Sequence, residues 1–307
     1  MVKWGVTRKP GPWRRIAAKP GPRPADRIDE LRVTLINHST TLVQVAGLNI
    51  LTDPIWSPRC SPFSFAGPRR YRPPALRFDD LPPIDLVLIS HDHYDHLDTP
   101  TLRRLAPHRP QVLTGLGNGP VVRGCGLEVA ELDWWQAREH GGARVWFVPA
   151  QHFSGRGLHD RDRTLWGGFV VESAAGQVYF AGDTGWGAFF GEIRRRLGRP
   201  RLALLPIGGY LPRWLMAGVH ISPAQAVEAA AVLGAGTSVA IHYGCFRLAD
   251  EGMEQSEAEL AEVPGLSRTL AATVHRHLHA VPAHGARTAT GTTDAELTDP
   301  RQDQEPT

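Results

Sequence analysis

Short runs of apolar and β-branched residues recur along most of the chain and predict β-strands. Three of them follow one another closely, at residues 33–36, 41–45 and 48–51, and predict a meander. The run at residues 84–89 is apolar throughout, which is typical of a strand that is buried on both faces. Further strands are predicted, in chain order, at residues 143–148, 168–172, 177–181, 202–207 and 238–242.

Helices are predicted between these strands, and one of them has a complete start signal. Ser222 has the residue type of an N-cap, and Pro223 follows it at the first helical position. Gln225 stands three residues after the cap, so this helix is predicted to begin here and to end at Gly234. The stretch 56–83 is dense in proline, arginine and aromatic residues and predicts a long ordered loop near the functional site.

The two ends of the chain differ in composition from the middle. Residues 1–30 are rich in Pro, Gly, Lys and Arg and predict a basic arm without regular structure. Residues 31–264 carry the strand pattern and predict the folded domain, whereas residues 265–307 predict a tail that is largely disordered at its end. The arm is either a floppy tail or a segment that lies on the body or on an anionic lipid surface, using basic residues with Trp4 and Trp13.

Charge and cysteine usage exclude several classes of protein. The formal net charge of +3 over 307 residues is small and evenly spread, which argues against nucleic acid as the main partner. The three cysteines, Cys60, Cys125 and Cys245, form no CxxC pair and suit a reducing cytoplasm. No apolar stretch approaches a membrane-spanning length, and no apolar segment follows Arg14-Arg15 as an export signal requires. We therefore predict a cytoplasmic protein, with peripheral membrane association through the arm as an alternative.

The most informative chemistry lies in residues 90–98, directly behind the apolar run at 84–89. Three histidines and three aspartates fall within these nine residues. His91 and His93 can point toward one metal ion, and Asp95 and His96 toward a second. A cluster of solvated surface charge is the alternative, but such clusters rarely alternate histidine and aspartate behind a buried strand. The segment therefore predicts a metal site at the carboxyl end of a strand.

Three more residues of types that bind metal ions also follow apolar runs. They are His152, Asp183 and His242. Each of them alone could be a structural residue. Together they would supply the additional ligands that a catalytic two-metal site needs.

These motifs resemble those of the metallo-β-lactamase superfamily. The resemblance implies an α/β hydrolase domain, the αββα sandwich of two mixed sheets flanked by helices, with a dinuclear site along one edge. It also implies the ligand set, in which Asp183 bridges the two ions. By motif, His91, His93 and His152 match the ligands of the first metal, and Asp95, His96 and His242 match those of the second.

Further motifs, in the same order along residues 33–250, are similar to one branch of this superfamily, the N-acyl-phosphatidylethanolamine-hydrolysing phospholipases D. Among them are NHST at 37–40, LTDPI at 51–55, ELDWW at 131–135 and HISP at 220–223. His220 matches a histidine of that family that lies near the metals and has a catalytic role. The chain departs from the family at Tyr243 and Cys245, where the family has Trp and Thr, and this leaves the choice of substrate open.

The resemblance implies a metal-dependent phosphodiesterase that uses a hydroxide activated by two divalent ions. The expected reaction is phospholipase D-like hydrolysis of N-acyl-phosphatidylethanolamine or a related phosphodiester. Asp95, Asp183 and His220 are its candidate catalytic residues, and Asp98 is a candidate for orienting a ligand histidine. Histidine-rich ligation favours Zn²⁺, with Mn²⁺ or Fe as alternatives.

Two other functions are compatible with the same residues. A lactonase of the superfamily would use an identical hydroxide against a carbonyl carbon, and a homologue without turnover would only bind metal. The predicted partner is a phospholipid or a small phosphodiester, with no nucleic acid. The sequence carries no signal for an oligomeric state.

Overall fold

The computed structural model describes residue 8 and residues 10–264, which form two mixed six-stranded sheets flanked by helices. The strands of the first sheet lie in chain order and are β1 Arg32–Asn37, β2 Thr40–Val45, β3 Leu48–Thr52, β4 Leu86–Ile89, β5 Gln111–Gly115 and β6 Val129–Leu132. β1 to β3 pair antiparallel, as expected for a meander, and β3 to β6 pair parallel.

The second sheet is built from the rest of the chain and is also mixed. Its strands are β7 Ala137–His140, β8 Ala143–Val148, β9 Gly168–Ser173, β10 Gly176–Phe180, β11 Leu202–Pro206 and β12 Thr237–Ile241. β7 to β10 pair antiparallel, and β10 to β12 pair parallel. The predicted α/β fold of two mixed sheets is confirmed, although the sequence pattern did not predict β5, β6 and β7.

Helices cover the outer faces of the sheets. They are α1 Thr99–Leu105, α2 Gly119–Arg123, α3 Phe189–Leu197, α4 Arg213–Met216, α5 Pro223–Leu233 and α6 Gln255–Glu262, with 3₁₀ turns at Phe78–Asp80 and Ala106–His108. The predicted start of α5 is confirmed, because the side chain of Ser222 accepts a hydrogen bond from Gln225 N and Gln225 Oε1 accepts one from Ser222 N. Gly234 ends this helix in the left-handed conformation, as predicted.

The alternation of side chains along β4 explains its continuous apolar run. Leu86 and Leu88 pack between the two sheets, whereas Val87 and Ile89 pack on the outer face of the first sheet with α1. All four side chains are buried, so no position of this strand faces solvent. Truncating Leu88 to alanine would cost about 2–5 kcal/mol, the usual range for a core leucine.

The described residues of the amino-terminal arm lie on the folded body and contain no helix or strand. Its backbone bonds to the 56–83 loop, since Ile16 N donates to Tyr71 O and Gly21 N donates to Ala75 O. Trp4 and the tail at residues 265–307 lie outside the described residues. Among those that are described, no helix has both the length and the apolar character needed to cross a bilayer.

Parallel pairing brings several strand ends to one edge of the sandwich. β3 and β4 run side by side with Thr52 opposite Leu88, so the residues that follow these two strands are neighbours. β10, β11 and β12 are likewise parallel, so Asp183 and His242 follow strands that end in the same direction. The carboxyl ends of parallel strands are the usual place for functional side chains in α/β proteins.

Candidate metal centre

The structure brings all of the residues predicted as metal ligands into one buried cluster. His91, His93, Asp95 and His96 come from the loop after β4, His152 from the loop after β8, Asp183 from the loop after β10, and His242 from the end of β12. All of them are buried except His93, which is partly buried. Residues that are 151 positions apart in the sequence, such as His91 and His242, thus meet at one edge.

His91, His93 and His152 form the first group. His91 Nε2 lies 2.9 Å from His93 Nδ1, and His152 Nε2 lies 3.4 Å from the same atom. His152 Nδ1 donates to the backbone oxygen of Val219, and His91 Nδ1 lies 2.9 Å from the Ser90 hydroxyl. Because the outer nitrogens of His91 and His152 have these partners, their inner nitrogens are left for a ligand.

Asp95, His96 and His242 form the second group. Asp95 Oδ2 lies 3.2 Å from His96 Nε2 and 3.3 Å from His242 Nε2. The rings of His96 and His242 are nearly parallel, with centroids 5.3 Å apart. This group has the mixed imidazole and carboxylate composition that zinc, manganese and iron accept.

Asp183 lies between the two groups. Its Oδ2 is 3.1 Å from His96 Nε2 and 2.9 Å from His242 Nε2, on the side of the second group. The same oxygen is 3.9 Å from His152 Nε2, which belongs to the first group. One carboxylate oxygen therefore faces ligand nitrogens of both groups.

The donor set fits divalent cations. The Nε2 atoms of His96 and His242 and the Oδ1 atom of Asp183 are buried and have no hydrogen-bond partner among the described residues. An unpartnered buried polar atom costs about 1–3 kcal/mol, and contact with a cation would remove that cost. Histidine nitrogens and aspartate oxygens are also the usual ligands of catalytic zinc.

The protonation states of the cluster agree with cation binding. Burial lowers the pKa of His91 and of His152 well below the ordinary range, so both imidazoles are neutral and offer a lone pair. Burial raises the pKa of Asp183, but the charges of His242 and His96 outweigh it and hold the pKa well below the ordinary range. Protons on His96 and His242 therefore compete with a cation for the same position beside two ionised carboxylates.

His220 lies beside both groups, in the loop before α5. Its side chain is buried, its Nδ1 lies 4.0 Å from Asp183 Oδ2, and its ring stacks on His242 with centroids 5.2 Å apart. Burial lowers the pKa of His220 to about 4, so the ring is neutral at neutral pH. It can contact a substrate, but His152, Asp183 and His220 together also have the geometry of an ion site.

The comparison of sequences identifies the family. The profile described as the beta-lactamase superfamily domain matches residues 48–243, a range that holds every side chain of the cluster. The chain belongs to the metallo-β-lactamase superfamily. The predicted family is therefore confirmed.

Two curated relatives of this superfamily share one named activity. The chain is 41% identical over 229 residues to N-acyl-phosphatidylethanolamine-hydrolyzing phospholipase D 1 of Caenorhabditis elegans, and this covers 70% of the chain and 64% of the relative. It is 32% identical over 228 residues to the mitochondrial N-acyl-phosphatidylethanolamine-hydrolyzing phospholipase D of Saccharomyces cerevisiae, covering 71% of the chain and 48% of the relative. The chain thus spans less than two thirds of the length of either relative. The chain is also 30% identical over 238 residues to a UPF0173 metal-dependent hydrolase of Methanopyrus kandleri, covering 76% of the chain and 93% of that relative. The predicted class of metal-dependent hydrolase is therefore confirmed.

A solved structure with a similar fold agrees with the architecture. The isothiocyanate hydrolase from Delia radicum gut bacteria superposes with a TM-score of 0.59 and 21% identity, covering 79% of the chain and 93% of that structure. At this level of identity, the similarity shows the fold alone.

Two buried side chains that contact the cluster were not predicted as functional. Asp53, at the end of β3, accepts a hydrogen bond from His96 Nδ1 at 2.6 Å and another from the Ser90 hydroxyl at 2.6 Å. His38, in the turn between β1 and β2, donates from Nε2 to Asp95 Oδ2 at 2.9 Å. One sequence pattern could have identified them, because each of them follows a predicted strand, as the predicted ligands do.

The role expected for Asp98 is wrong. Its Oδ1 accepts from the Ser57 hydroxyl at 2.8 Å and its Oδ2 accepts from the Thr101 hydroxyl at 2.5 Å, so its described hydrogen bonds involve no histidine. Asp98 immediately precedes α1, and its side chain bonds to Thr101 of that helix and to Ser57. Asp53 orients His96 in its place.

Proposed function

We propose that the chain is a phospholipase D-like phosphodiesterase that hydrolyses N-acyl-phosphatidylethanolamine or a related phosphodiester with two divalent ions. The observation that carries the proposal is the position of Asp183 Oδ2, within 3.9 Å of imidazole nitrogens from both groups. A carboxylate in this position can bridge two ions. Two-metal sites stabilise both the attacking and the leaving oxygen of a displacement at phosphorus. The activity named for the two curated relatives supports the same reaction.

We assign His91, His93 and His152 to the first ion. The second ion is assigned to Asp95, His96 and His242, with Asp183 bridging the pair. Zinc is favoured because five of these seven side chains are imidazoles. Ions at this site would supply a hydroxide nucleophile at neutral pH, by lowering the pKa of bound water to about 7, and would polarise phosphate oxygens.

The chain's own residues orient the reactants. Asp183 Oδ1 has no hydrogen-bond partner among the described residues, so it can accept a hydrogen bond from the attacking water. This hydrogen bond would orient the water so that a lone pair of its oxygen points toward phosphorus. Asp95 places a second negative charge 3.2 Å from His96 Nε2 and 3.3 Å from His242 Nε2, and a hydrogen bond from His38 holds it there. His220 Nδ1 is likewise without a hydrogen-bond partner in the described part of the chain, and the neutral ring can contact a phosphate oxygen or exchange a proton with the leaving alcohol.

Contact with a lipid surface is assigned to the 56–83 loop. Phe63 and Phe65 are 55% and 79% exposed, which is unusual for phenylalanine. They lie close to an open cavity of about 620 Å³ whose lining includes Phe65 and the guanidinium-bearing residues Arg15, Arg59 and Arg69. Exposed aromatic rings beside basic side chains suit an anionic membrane surface.

A substrate panel tests this proposal. The purified chain is assayed with bis(p-nitrophenyl) phosphate, with N-acyl-phosphatidylethanolamine in mixed micelles and with simple lactones, before and after chelation. Metal-dependent release of an N-acylethanolamine with phosphatidic acid is the expected result. Turnover of lactones alone would establish a lactonase, and metal binding without turnover of any substrate would establish a non-enzymatic homologue.

A further inference from the structure

The loop between β11 and α4 packs against two histidines of the metal centre. Gly209 in this loop has φ +76°, and a Cβ added to it would lie 3.1 Å from His220 Nδ1 and 3.2 Å from His242 Cε1. Such distances are tighter than nine in ten real Cβ contacts. Gly209 therefore lies so close to both imidazole rings that a Cβ would crowd them, and we expect a shift of this loop to move the rings.

A single buried carboxylate holds the loop in place. Glu251 is only 6% exposed, and its Oε1 accepts a hydrogen bond from Gly209 N at 2.6 Å. Its Oε2 accepts from Leu211 N at 3.3 Å, and the neighbouring Asp250 N donates to Leu211 O at 3.1 Å. Hydrogen bonds from backbone amides to a carboxylate are charge-assisted and are about twice as strong as neutral ones.

The amino-terminal arm holds the opposite side of the same segment. The indole nitrogen of Trp13 donates to Glu251 O at 2.9 Å, and Met253 N donates to Pro12 O at 3.0 Å. Gly11 N donates to Asp250 O at 2.7 Å, and the approach here is so close that a Cβ on Gly11 would lie 2.5 Å from a backbone nitrogen. Residues 250–253 are thus held between the arm and the loop that touches the histidines.

We propose that Glu251 is a positioning residue for His220 and His242, acting through the backbone of Gly209 and Leu211, and that arm residues 11–13 hold Glu251 in this position. The arm is then a structural part of the catalytic unit. This inference rests on the proposed function, which assigns His242 to the second ion and His220 to the substrate. Residues that support metal ligands from outside typically change metal affinity or activity by about 10–100-fold when they are replaced.

The first test is Glu251→Gln in the full chain. Glutamine keeps the size of the side chain, but its NH₂ group cannot accept a hydrogen bond from a backbone N–H. We expect kcat for bis(p-nitrophenyl) phosphate to fall by about 10–100-fold, and we expect the visible spectrum of the Co²⁺-substituted protein to change. The matched control is Glu254→Gln, an exposed carboxylate three residues further on whose side chain pairs with Arg14. A spectrum and a kcat equal to those of the control would overturn the role of Glu251.

A second variant separates positioning from loss of stability and tests the arm. Trp13→Phe keeps a ring beside Tyr71, whose centroid lies 5.1 Å away, and removes only the indole donor to Glu251. We expect a smaller change of the Co²⁺ spectrum in the same direction. Trp146→Phe is the control, because its indole donates to Glu172 on the neighbouring strand β9 and not to Glu251. A lower unfolding midpoint in Glu251→Gln and Trp13→Phe, with the Co²⁺ spectrum and kcat unchanged, would overturn the proposal.

Two of the measurements test the positioning role of Glu251 even if the proposed reaction is wrong. The Co²⁺ spectrum requires metal binding but no phosphodiester turnover. The Hε1 signals of His220 and His242 in NMR spectra of the metal-free protein report the position of both rings without any metal. Displaced signals in Glu251→Gln, with those of His91 retained, are expected. Unmoved signals from both rings would overturn the positioning role whatever the substrate proves to be.

Discussion

Asp53 Oδ2 lies 2.6 Å from His96 Nδ1, and neither side chain is exposed to solvent. The same oxygen accepts from the Ser90 hydroxyl, which in turn lies 2.9 Å from His91 Nδ1. Asp53 therefore orients one histidine of the second ligand group directly and one of the first group through Ser90. A carboxylate behind a ligand imidazole fixes its tautomer and raises its basicity.

Asp53→Asn should weaken metal binding by about 10–100-fold, because the amide replaces a charge-assisted bond to His96 by a weaker one. Competition with a chromophoric chelator measures the affinity of both sites. Asp98→Asn is the matched control, since Asp98 is also buried and near the cluster but bonds only to hydroxyls and a backbone amide among the described residues. Equal affinities in the two variants would contradict the orienting role of Asp53.

The strands that the sequence did not predict have weak patterns for identifiable reasons. β7 has the sequence Ala-Arg-Glu-His and lies at the edge of the second sheet. An edge strand has one partner strand and faces solvent, so its sequence need not alternate apolar and polar residues. β6 is also an edge strand and has four residues. β5 is internal, but Gln111 and Gly115 leave a run of only three residues that favour a strand.

The histidines and aspartates of the cluster could be predicted because they lie in segments that follow strong apolar runs. The residues that support them could not, because their roles depend on which strands are neighbours. Asp53 reaches His96 only because β3 pairs parallel with β4, a pairing that the local pattern does not specify. Asp98 was misassigned for the converse reason, since closeness in sequence to His96 does not imply closeness of the side chains once the chain turns into α1.

Asp183→Asn should lower hydrolysis of bis(p-nitrophenyl) phosphate by on the order of 10³-fold or more, because an amide cannot bridge two cations as a carboxylate does. The fold should survive, since the substitution keeps the volume of a buried side chain. Circular dichroism and metal analysis accompany the rate measurement. Activity near that of the unchanged chain would refute the bridging role.

His220→Ala distinguishes a substrate contact from a metal ligand. If His220 acts on the phosphate or the leaving group, the variant keeps both ions and loses about 10²–10⁴-fold in rate, the usual size of an acid–base contribution. Metal analysis of the purified variant decides the point. Loss of one equivalent of metal would instead make His220 a ligand together with His152 and Asp183.

The metal-free protein should lose stability as the pH rises above neutral. Burial lowers the pKa of His242, but the negative charge of Asp183, whose Oδ2 lies 2.9 Å from His242 Nε2, outweighs this and raises the pKa from 6.5 to about 9. Between these values the native state keeps a proton that the unfolded chain releases. The stabilisation is fully present below about pH 6.5 and is lost as the pH rises through about 9.

Urea unfolding of chelator-treated protein between pH 6 and about 9.5 measures this effect. The midpoint of the metal-free form should fall across that window. The midpoint of the metal-loaded form should fall much less, because a cation replaces the proton at His242. Parallel declines of both forms would indicate that the His242–Asp183 pair does not govern the pH dependence.

Phe63→Ser combined with Phe65→Ser should weaken binding to anionic vesicles while leaving hydrolysis of a small soluble diester unchanged. Both rings are exposed, and burying such a ring in lipid contributes up to about 1.5–3 kcal/mol. Arg59→Ser adds the loss of about 1 kcal/mol from one basic residue.

Leu116→Ser is the control, an exposed apolar residue that follows β5 and does not line the basic cavity. Removing the arm would be a poorer test, because Trp13 also bonds to Glu251. Vesicle binding equal to that of the control would place the lipid contact elsewhere and would weaken the case for a membrane phospholipid as the substrate.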